Sequence, residues 1–273
     1  MTRPVRLGGV DYLNVRPLVY GLERFPADVT LRFDVPSVCA ELLAQGAIDL
    51  GMVPSITLCD RPGDRIVPGV CIGSEGPVAS VALFTRKPVR DVRSIALDTS
   101  SRTSAVLTRI LCARRFHIAP EFVPHPPDLP AMLAKADAAL LIGDPALFVD
   151  SAAAGAEKID LGTAWSDMTG LPFVWAFWAG RPDAVDAPVV ARLQQSAEAG
   201  VADSDAIAEA YCTGQPERIP LARRYLRDNL RFRLDARAID GLSACYREAA
   251  ALGLVGAAPP LAFFEEPAAR ILA

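Results

Sequence analysis

The sequence predicts an α/β chain of two lobes with a helical C-terminal layer. Short apolar runs alternate with helical patterns through the first two-thirds of the chain, an order typical of βαβ units and of mostly parallel sheets. After Gly180 the patterns are helical. A length of 273 residues with 51% hydrophobic residues is sufficient for two lobes with a core in each.

The predicted strands are short apolar runs, most of them bounded by turn residues. They span residues 5–10, 31–35, 49–53, 80–84, 94–97 and 138–142. Helices are predicted at 38–45 and 103–115, because apolar residues recur there at spacings of three and four.

The C-terminal layer is predicted from helical patterns at 187–199, 205–211, 220–229 and 235–252. Asp203 or Ser204 and Asp235 are suitable N-caps, and Gly253 is a suitable C-cap. Pro259 and Pro260 then interrupt the pattern, so we expect the last residues to form an irregular strap across the surface.

Strand-like segments near 81–85 and 174–178 predict that the chain passes between the lobes twice. Lobe one would contain residues 1–84 and 178–273, lobe two would contain residues 85–177, and a substrate cleft would lie between them. Two crossing segments form a hinge, and hinged lobes close over ligands.

Charge and composition exclude several classes of partner. The net charge is −4 and no dense run of Lys or Arg occurs, so no nucleic-acid partner is expected. No apolar segment approaches 18 residues, so no membrane partner is expected. The N-terminal segment lacks the apolar core of a secretory signal, and six cysteines occur without a C-x-x-C pair. These features indicate a cytoplasmic protein with reduced thiols, and they do not indicate its oligomeric state.

The usual cofactor and catalytic motifs are missing. The chain contains no G-x-x-x-x-G-K-[ST], G-x-G-x-x-G, H-E-x-x-H or G-x-S-x-G. His117 and His125 lie far from other ligand-type residues, so we interpret them as ordinary histidines. The sequence therefore predicts neither a cofactor nor a metal.

The segment 98–104, DTSSRTS, follows a predicted strand and begins a predicted helix. Ser101, Thr103 and Ser104 place hydroxyls and free backbone N–H groups at the helix start, where a carboxylate or phosphate binds well. Alternatively, one of them is simply an N-cap. One cap needs one residue, so the five hydroxyls of this segment favour an anion site.

Other candidates lie where predicted strands end, at the edge where open α/β sheets bind ligands. Ser55 follows the strand at 49–53, and Asn14, which can both donate and accept hydrogen bonds, follows the first strand. Arg16 could pair with a ligand carboxylate, although a solvated arginine or a local ion pair is the commoner role. Ser80 lies at a predicted crossing. Asp144 is the one carboxylate expected at the mouth of the second lobe, unless it caps the following helix.

Six segments together resemble the chorismate dehydratase family of the futalosine route to menaquinone. They are VDYLNVRPL, GAIDLGMVPS, GPVASVALFT, DTSSRTSAVL, LLIGDPAL and DLGTAWSDMTGLPFVWAFW, and they cover most of residues 7–180. The resemblance implies a two-lobed type II periplasmic-binding-protein-like fold. It also implies a lyase of the hydro-lyase type that converts chorismate, a small dicarboxylate, to 3-[(1-carboxyvinyl)oxy]benzoate without a cofactor.

A related family of the same pathway, the 1,4-dihydroxy-6-naphthoate synthases, carries a histidine base after the second-lobe strand. This chain has Gly143 and Asp144 there, which favours the dehydratase. By the same resemblance, ligand-holding positions fall near Ser55 and on Thr103 and Ser104.

The resemblance suggests roles for the candidates. Thr103 and Ser104, with Ser101, would stabilise charge on the ring carboxylate. Asn14 or Ser80 would donate to the C4 oxygen, and the base would be Asp144 or the substrate's own enolpyruvyl carboxylate. The alternatives are a synthase-like lyase and a non-catalytic small-anion-binding protein, which would share the fold. An effector-sensing regulatory domain would need a DNA-binding segment, which the sequence lacks.

Overall fold

A computed structural model describes residues 3–265. The first of its two sheets contains β1 (Val5–Val10), β2 (Val29–Asp34), β3 (Leu50–Pro54), β4 (Arg65–Ile66), β5 (Gly69–Ser74), β11 (Phe173–Gly180) and β12 (Arg231–Leu234). The second contains β6 (Val81–Thr85), β7 (Ser94–Asp98), β8 (Glu121–His125), β9 (Ala138–Ile142) and β10 (Glu157–Asp160). The α/β class predicted from the sequence is confirmed.

Helices pack against both sheets. They are α1 (Pro36–Ala44), α2 (Thr57–Asp60), α3 (Thr103–Leu111), α4 (Leu129–Lys135), α5 (Gly143–Phe148), α6 (Leu161–Thr169), α7 (Ala187–Ala202), α8 (Ser204–Tyr211), α9 (Ile219–Arg224) and α10 (Ala236–Ala251). The predicted cap Asp235 accepts a hydrogen bond from the Ala238 N–H at 2.9 Å, whereas Asp203 makes no side-chain cap. None of these helices, over residues 3–265, is long and apolar enough to span a membrane.

The sheets are mixed, so the prediction of mostly parallel sheets is wrong. The first sheet has the order β12-β5-β11-β3-β1-β2, with β4 beside β11, and the second has the order β10-β6-β9-β7-β8. Parallel pairing is confined, among the described strands, to β1 with β2 and β3 and to β7 with β8 and β9. The reason is topological. Strands β6 and β11 each follow a strand of the other sheet along the chain, and each is antiparallel to its neighbours.

The predicted lobe boundaries need correction. Positions 84/85 and 177/178 fall inside β6 and β11, yet β6 pairs wholly within the second sheet and β11 within the first. The chain therefore passes between the sheets at residues 75–80 and 161–172. Each of these two strands pairs within one sheet, so the crossings lie in the segments between strands.

Two predicted helices end in wider turns. The helix predicted at 103–115 is α-helical to Leu111 and continues as a π-helical turn, Cys112–Phe116. The helix predicted at 220–229 likewise ends in a π-helical turn, Tyr225–Asn229. Such turns often accompany functional sites. The second one begins with Tyr225, which is buried.

The C-terminal strap is described only as far as residue 265. Phe264 N–H donates to the Ile66 carbonyl at 2.9 Å, and Ile66 N–H donates to the Ala262 carbonyl at 2.9 Å. This part of the strap is therefore fixed along β4. The prediction for residues 266–273 lies outside the described residues.

Asp49 fixes the start of β1 to the start of β3. Its side chain accepts hydrogen bonds from Arg3 Nη1 at 2.7 Å, from Arg6 Nε at 3.0 Å and from the Arg6 backbone N–H at 2.9 Å. Burial alone would raise the pKa of Asp49, but the bonds from Arg3 and Arg6 hold it well below the usual range. The carboxylate thus stabilises the fold in its ionised form.

We predict that Asp49→Asn lowers the free energy of unfolding by about 2 kcal/mol at neutral pH, because charge-assisted hydrogen bonds are lost. The folded pKa lies below the unfolded value of about 3.9, so this stabilisation is complete above that value and disappears as the pH falls. Urea unfolding at neutral and acidic pH measures both effects. Asp183→Asn, with a side chain 83% exposed, is the control. Equal stability of Asp49→Asn and wild type would contradict the prediction.

Candidate active site

A cavity of about 580 Å³, part of it open to solvent, lies between the two sheets. Val10, Pro54 and Ile142, which end strands β1, β3 and β9, form part of its wall. The cavity therefore occupies the carboxyl edge of strands from both sheets, where α/β folds bind ligands.

The lining is mostly apolar and carries little charge. Among the described residues that line the cavity, none is a carboxylate or a histidine, and Arg102 alone carries a full charge. Its guanidinium pairs with Asp60 at 2.6 Å. An anionic ligand would therefore meet no like charge within the lining.

The polar end of the cavity is the N-terminus of α3. Ser101, Thr103 and Ser104 line it, as the sequence predicts for an anion site. No side chain caps α3, and the Ser104 hydroxyl makes no hydrogen bond to any residue in 3–265. These donors are available to a ligand, and the dipole of the helix favours a negative charge there.

Thr103 also connects the two sheets. Its Oγ1 accepts a hydrogen bond from the Ile56 N–H at 3.2 Å and lies 3.4 Å from Ser55 Oγ. Ile56 directly precedes α2, which follows β3 of the first sheet. The Thr103 hydroxyl therefore helps hold the sheets together around the cavity.

Ser55 lies behind the wall and does not line the cavity. Its hydroxyl donates to the Val174 carbonyl at 2.7 Å, and its carbonyl accepts from the Tyr246 phenol at 2.6 Å. Both polar groups are thus engaged by the protein. The expectation that Ser55 contacts a ligand is corrected, because a strand end fixes a position but not the direction of the side chain.

Arg16 points away from the cavity. Its guanidinium pairs with Asp11 and lies over the rings of Phe33 and Tyr211, at 4.7 and 5.2 Å from their centroids. Of the two roles considered for Arg16, the structure shows the local ion pair, with Asp11. The assignment of Arg16 to a ligand carboxylate is therefore corrected.

Asp144 lies beside the cavity and is not part of its lining. One carboxylate oxygen accepts the Leu13 N–H at 3.2 Å and the other accepts the Tyr211 phenol. Burial raises the pKa of Asp144. The side chain connects α5 to α8 and to the segment after β1. Asp144 therefore does not cap α5, which was the alternative role considered for it.

Asn14 and Ser80 both line the cavity. Ser80 is 1% exposed, and its Oγ accepts a hydrogen bond from the Tyr225 phenol at 2.6 Å. Asn14 Oδ1 is buried and has no hydrogen-bond partner among residues 3–265. The unpaired oxygen is available to a ligand group that donates a hydrogen bond.

A carboxylate holds the backbone that precedes Ser80. Asp160 accepts hydrogen bonds from the N–H groups of Val78 at 3.0 Å, Ala79 at 2.6 Å and Thr163 at 3.0 Å. Ala79 has a φ of 63°, a conformation that costs about 1–3 kcal/mol for a non-glycine residue. Asp160 therefore joins the two crossing segments and holds the turn that orients Ser80.

The sequence did not identify the contact between Tyr12 and Gly143. Gly143 has a φ of 63°, and a Cβ at this position would lie 2.5 Å from Cε2 of the Tyr12 ring. Both residues line the cavity, so their contact closes it where the sheets meet. The glycine directly after β9 was the sequence signal for this contact, because a positive φ and a close approach of another ring both favour a residue without a side chain.

Tyr225 and Trp175 were also missed as site residues. Trp175 lines the cavity and donates from Nε1 to Ser74 Oγ at 3.1 Å. No sequence signal connects Tyr225 to Ser80. In residues 3–265, no group of three or more His, Cys, Asp or Glu side chains is placed to hold a metal.

The chain matches one family model and two named relatives. The model of a family described as menaquinone biosynthesis matches residues 5–251. A chorismate dehydratase from Thermus thermophilus is 30% identical over 271 residues, which cover 92% of this chain and 96% of that protein. A chorismate dehydratase from Campylobacter jejuni is 29% identical over 175 residues, covering 62% of this chain and 64% of that protein.

Solved structures share the fold at low identity. Protein AF1704 from Archaeoglobus fulgidus has a TM-score of 0.76 at 17% identity, covering 93% of this chain and 99% of that one. The periplasmic aliphatic sulphonate binding protein SsuA from Escherichia coli has a TM-score of 0.65 at 16% identity, covering 100% of this chain and 98% of that one. The periplasmic-binding-protein-like fold is therefore confirmed.

We predict that alanine substitution destabilises the protein at one of two buried serines and not at the other. Ser55→Ala should lower the free energy of unfolding by about 1 kcal/mol, because the Val174 carbonyl loses a donor. Ser104→Ala, the matched control, should leave unfolding unchanged, because its hydroxyl has no partner among the described residues. Thermal and urea unfolding of both variants measure the difference. A larger loss for Ser104→Ala would contradict the geometry.

Proposed function

This chain belongs to the menaquinone biosynthesis family, and from that membership we propose that it is a chorismate dehydratase. The reaction would convert chorismate to 3-[(1-carboxyvinyl)oxy]benzoate and water. The observation that carries the proposal is a cavity that joins an uncapped helix N-terminus to a lining without carboxylates. Two relatives named chorismate dehydratase support the choice of substrate.

The chemistry fits such a cavity. The proton on C3 of chorismate is γ to the ring carboxylate through a double bond, so its removal gives an extended dienolate. The C4–O bond then breaks, the hydroxyl leaves with a proton as water, and the ring becomes aromatic. No electrons enter or leave the molecule, so we propose that the reaction proceeds without a cofactor.

Donors at α3 would stabilise the dienolate. Negative charge grows on the ring carboxylate in the transition state, and preorganised hydroxyls and N–H groups are effective there. We propose that Ser104 and Ser101 bind this carboxylate. Thr103 would contribute its backbone N–H, since its hydroxyl accepts from the Ile56 N–H and its own hydrogen faces Ser55 Oγ, which donates to Val174.

We propose that Asn14 and Ser80 bind the opposite part of the substrate, at C4. The Ser80 O–H would donate to the departing oxygen, and Asn14 Oδ1 would accept the hydrogen of the C4 hydroxyl before it leaves. Both residues line the cavity, and Asn14 Oδ1 has no other partner in residues 3–265.

Of the two candidate bases, we propose the enolpyruvyl carboxylate of the substrate. Asp144, the other candidate, has both oxygens engaged by Leu13 and Tyr211. A base already attached to the reacting ring needs only to be positioned, and positioning contributes several kcal/mol to catalysis. The protein would then act by orienting the substrate and stabilising charge.

The alternatives make different demands on the cavity. A synthase-like lyase would place a histidine base after β9, where this chain has Gly143 and Asp144, and a Cβ at Gly143 would lie 2.5 Å from the Tyr12 ring. A small-anion-binding protein would share the fold, and it differs from the enzyme in releasing chorismate unchanged. We further propose a cytoplasmic location, which six free cysteines support.

We predict that the purified protein converts chorismate to the benzoate product after exhaustive dialysis against a chelator. Ultraviolet absorbance and mass analysis of the product measure the conversion. Ser104→Ala should lower kcat and kcat/KM together by about 10²-fold, because it removes a donor used in the transition state. Chorismate that binds but is released unchanged would favour the binding-protein alternative, and activity restored only by a divalent metal would contradict the cofactor-free reaction.

We predict that Asp144→Asn retains kcat within about tenfold of wild type, because loss of a true general base costs about 10²–10⁴-fold. Tyr211→Phe, which removes the partner of Asp144, should produce a similar small effect through local packing. Steady-state kinetics and chorismate binding are measured on both variants. Loss of turnover by Asp144→Asn alone, with intact binding, would instead assign Asp144 as the base.

A further inference from the structure

Tyr225 enters the site from the C-terminal layer. It begins the π-helical turn Tyr225–Asn229, is 1% exposed, and does not itself line the cavity. Its phenol oxygen lies 2.6 Å from Ser80 Oγ. A fully buried phenol therefore touches a serine that a ligand can also touch.

The direction of this hydrogen bond leaves the Ser80 hydrogen free. A phenol is a stronger acid than an aliphatic hydroxyl, so Tyr225 is the donor and Ser80 Oγ the acceptor. Ser80 donates to no acceptor in residues 3–265, and it lines the cavity. The Ser80 O–H is thus directed into the cavity.

We propose that Tyr225 is a positioning residue for the dehydration, which holds the Ser80 hydroxyl as a donor to the leaving C4 oxygen. The proposal rests on the function proposed above. Ser80 keeps its proton and donates a hydrogen bond while the C4–O bond breaks. The leaving hydroxyl obtains its second proton from the one removed at C3, so the reaction balances as loss of water.

The chain of hydrogen bonds also strengthens the donor. Accepting a bond from Tyr225 polarises the Ser80 O–H, because successive hydrogen bonds in a low-dielectric site reinforce one another. Without the phenol, the Ser80 hydroxyl would lose the contact that fixes it and would be free to turn away from the substrate. The effect should therefore appear in kcat, with KM little changed.

A double-mutant cycle tests the proposal. Tyr225→Phe should lower kcat about tenfold and Ser80→Ala somewhat more, because both weaken one transition-state donor. In the Ser80→Ala background, Tyr225→Phe should cost nothing further, since Tyr225 acts through Ser80. Additive losses, or a Tyr225→Phe variant with wild-type kcat, would overturn the proposal.

A matched control separates positioning from packing. Tyr246 is also a fully buried tyrosine of the C-terminal layer, and its phenol donates to the Ser55 carbonyl at 2.6 Å, outside the cavity. Tyr246→Phe should lower stability as Tyr225→Phe does and leave kcat unchanged. An equal loss of kcat in both variants would indicate a packing effect and overturn the proposal.

A second variant keeps the test decisive if Tyr225→Phe does not fold. Incorporation of 3-fluorotyrosine at position 225 retains both the ring and the O–H, so kcat should stay close to that of wild type. A loss as large as that of Ser80→Ala would contradict the role of the phenol. Failure of wild type to convert chorismate would instead refute the proposed function, and with it this inference, whereas an active wild type with an additive cycle refutes the inference alone.

Discussion

The carboxylate of Asp160 is the contact on which the shape of the cavity depends. It receives N–H groups from both segments that connect the sheets, at Val78 and Ala79 in one and at Thr163 in the other. Lys158 reinforces the same turn by donating to the Ala79 carbonyl at 2.7 Å. Because the two connections share one anchor, the orientation of one sheet relative to the other and the direction of Ser80 are fixed together.

Three of the missed strands differ in character from those that were predicted correctly. Residues 5–10 and 138–142 are mostly apolar runs that form interior strands of their sheets, and the structure has the same bounds. Strands β8, β10 and β12 lie at sheet edges, where one side faces solvent. They contain a proline or charged residues, as edge strands commonly do, and their pairing depends on distant segments that a local pattern does not reveal.

The same limit applies to the site. The hydroxyl-rich segment 98–104 predicted an anion site because a helix start needs only local sequence. Ser55, Arg16 and Asp144 were placed near the correct edge, but their side chains are engaged by Val174, Asp11 and Tyr211. Whether a polar side chain faces a ligand or a protein group depends on what packs behind it. For Ser55 and Asp144 that information lies in distant segments, at Val174, Tyr246 and Tyr211.

Three tyrosines of the C-terminal layer donate hydrogen bonds to groups that lie much earlier in the sequence. Tyr211, Tyr225 and Tyr246 reach Asp144, Ser80 and Ser55 across 67, 145 and 191 residues. During synthesis the walls of the cavity leave the ribosome long before these tyrosines, and closing such long loops is slow. A chain released without its last third would hold every residue that lines the cavity and none of the three phenols that donate to the groups behind it.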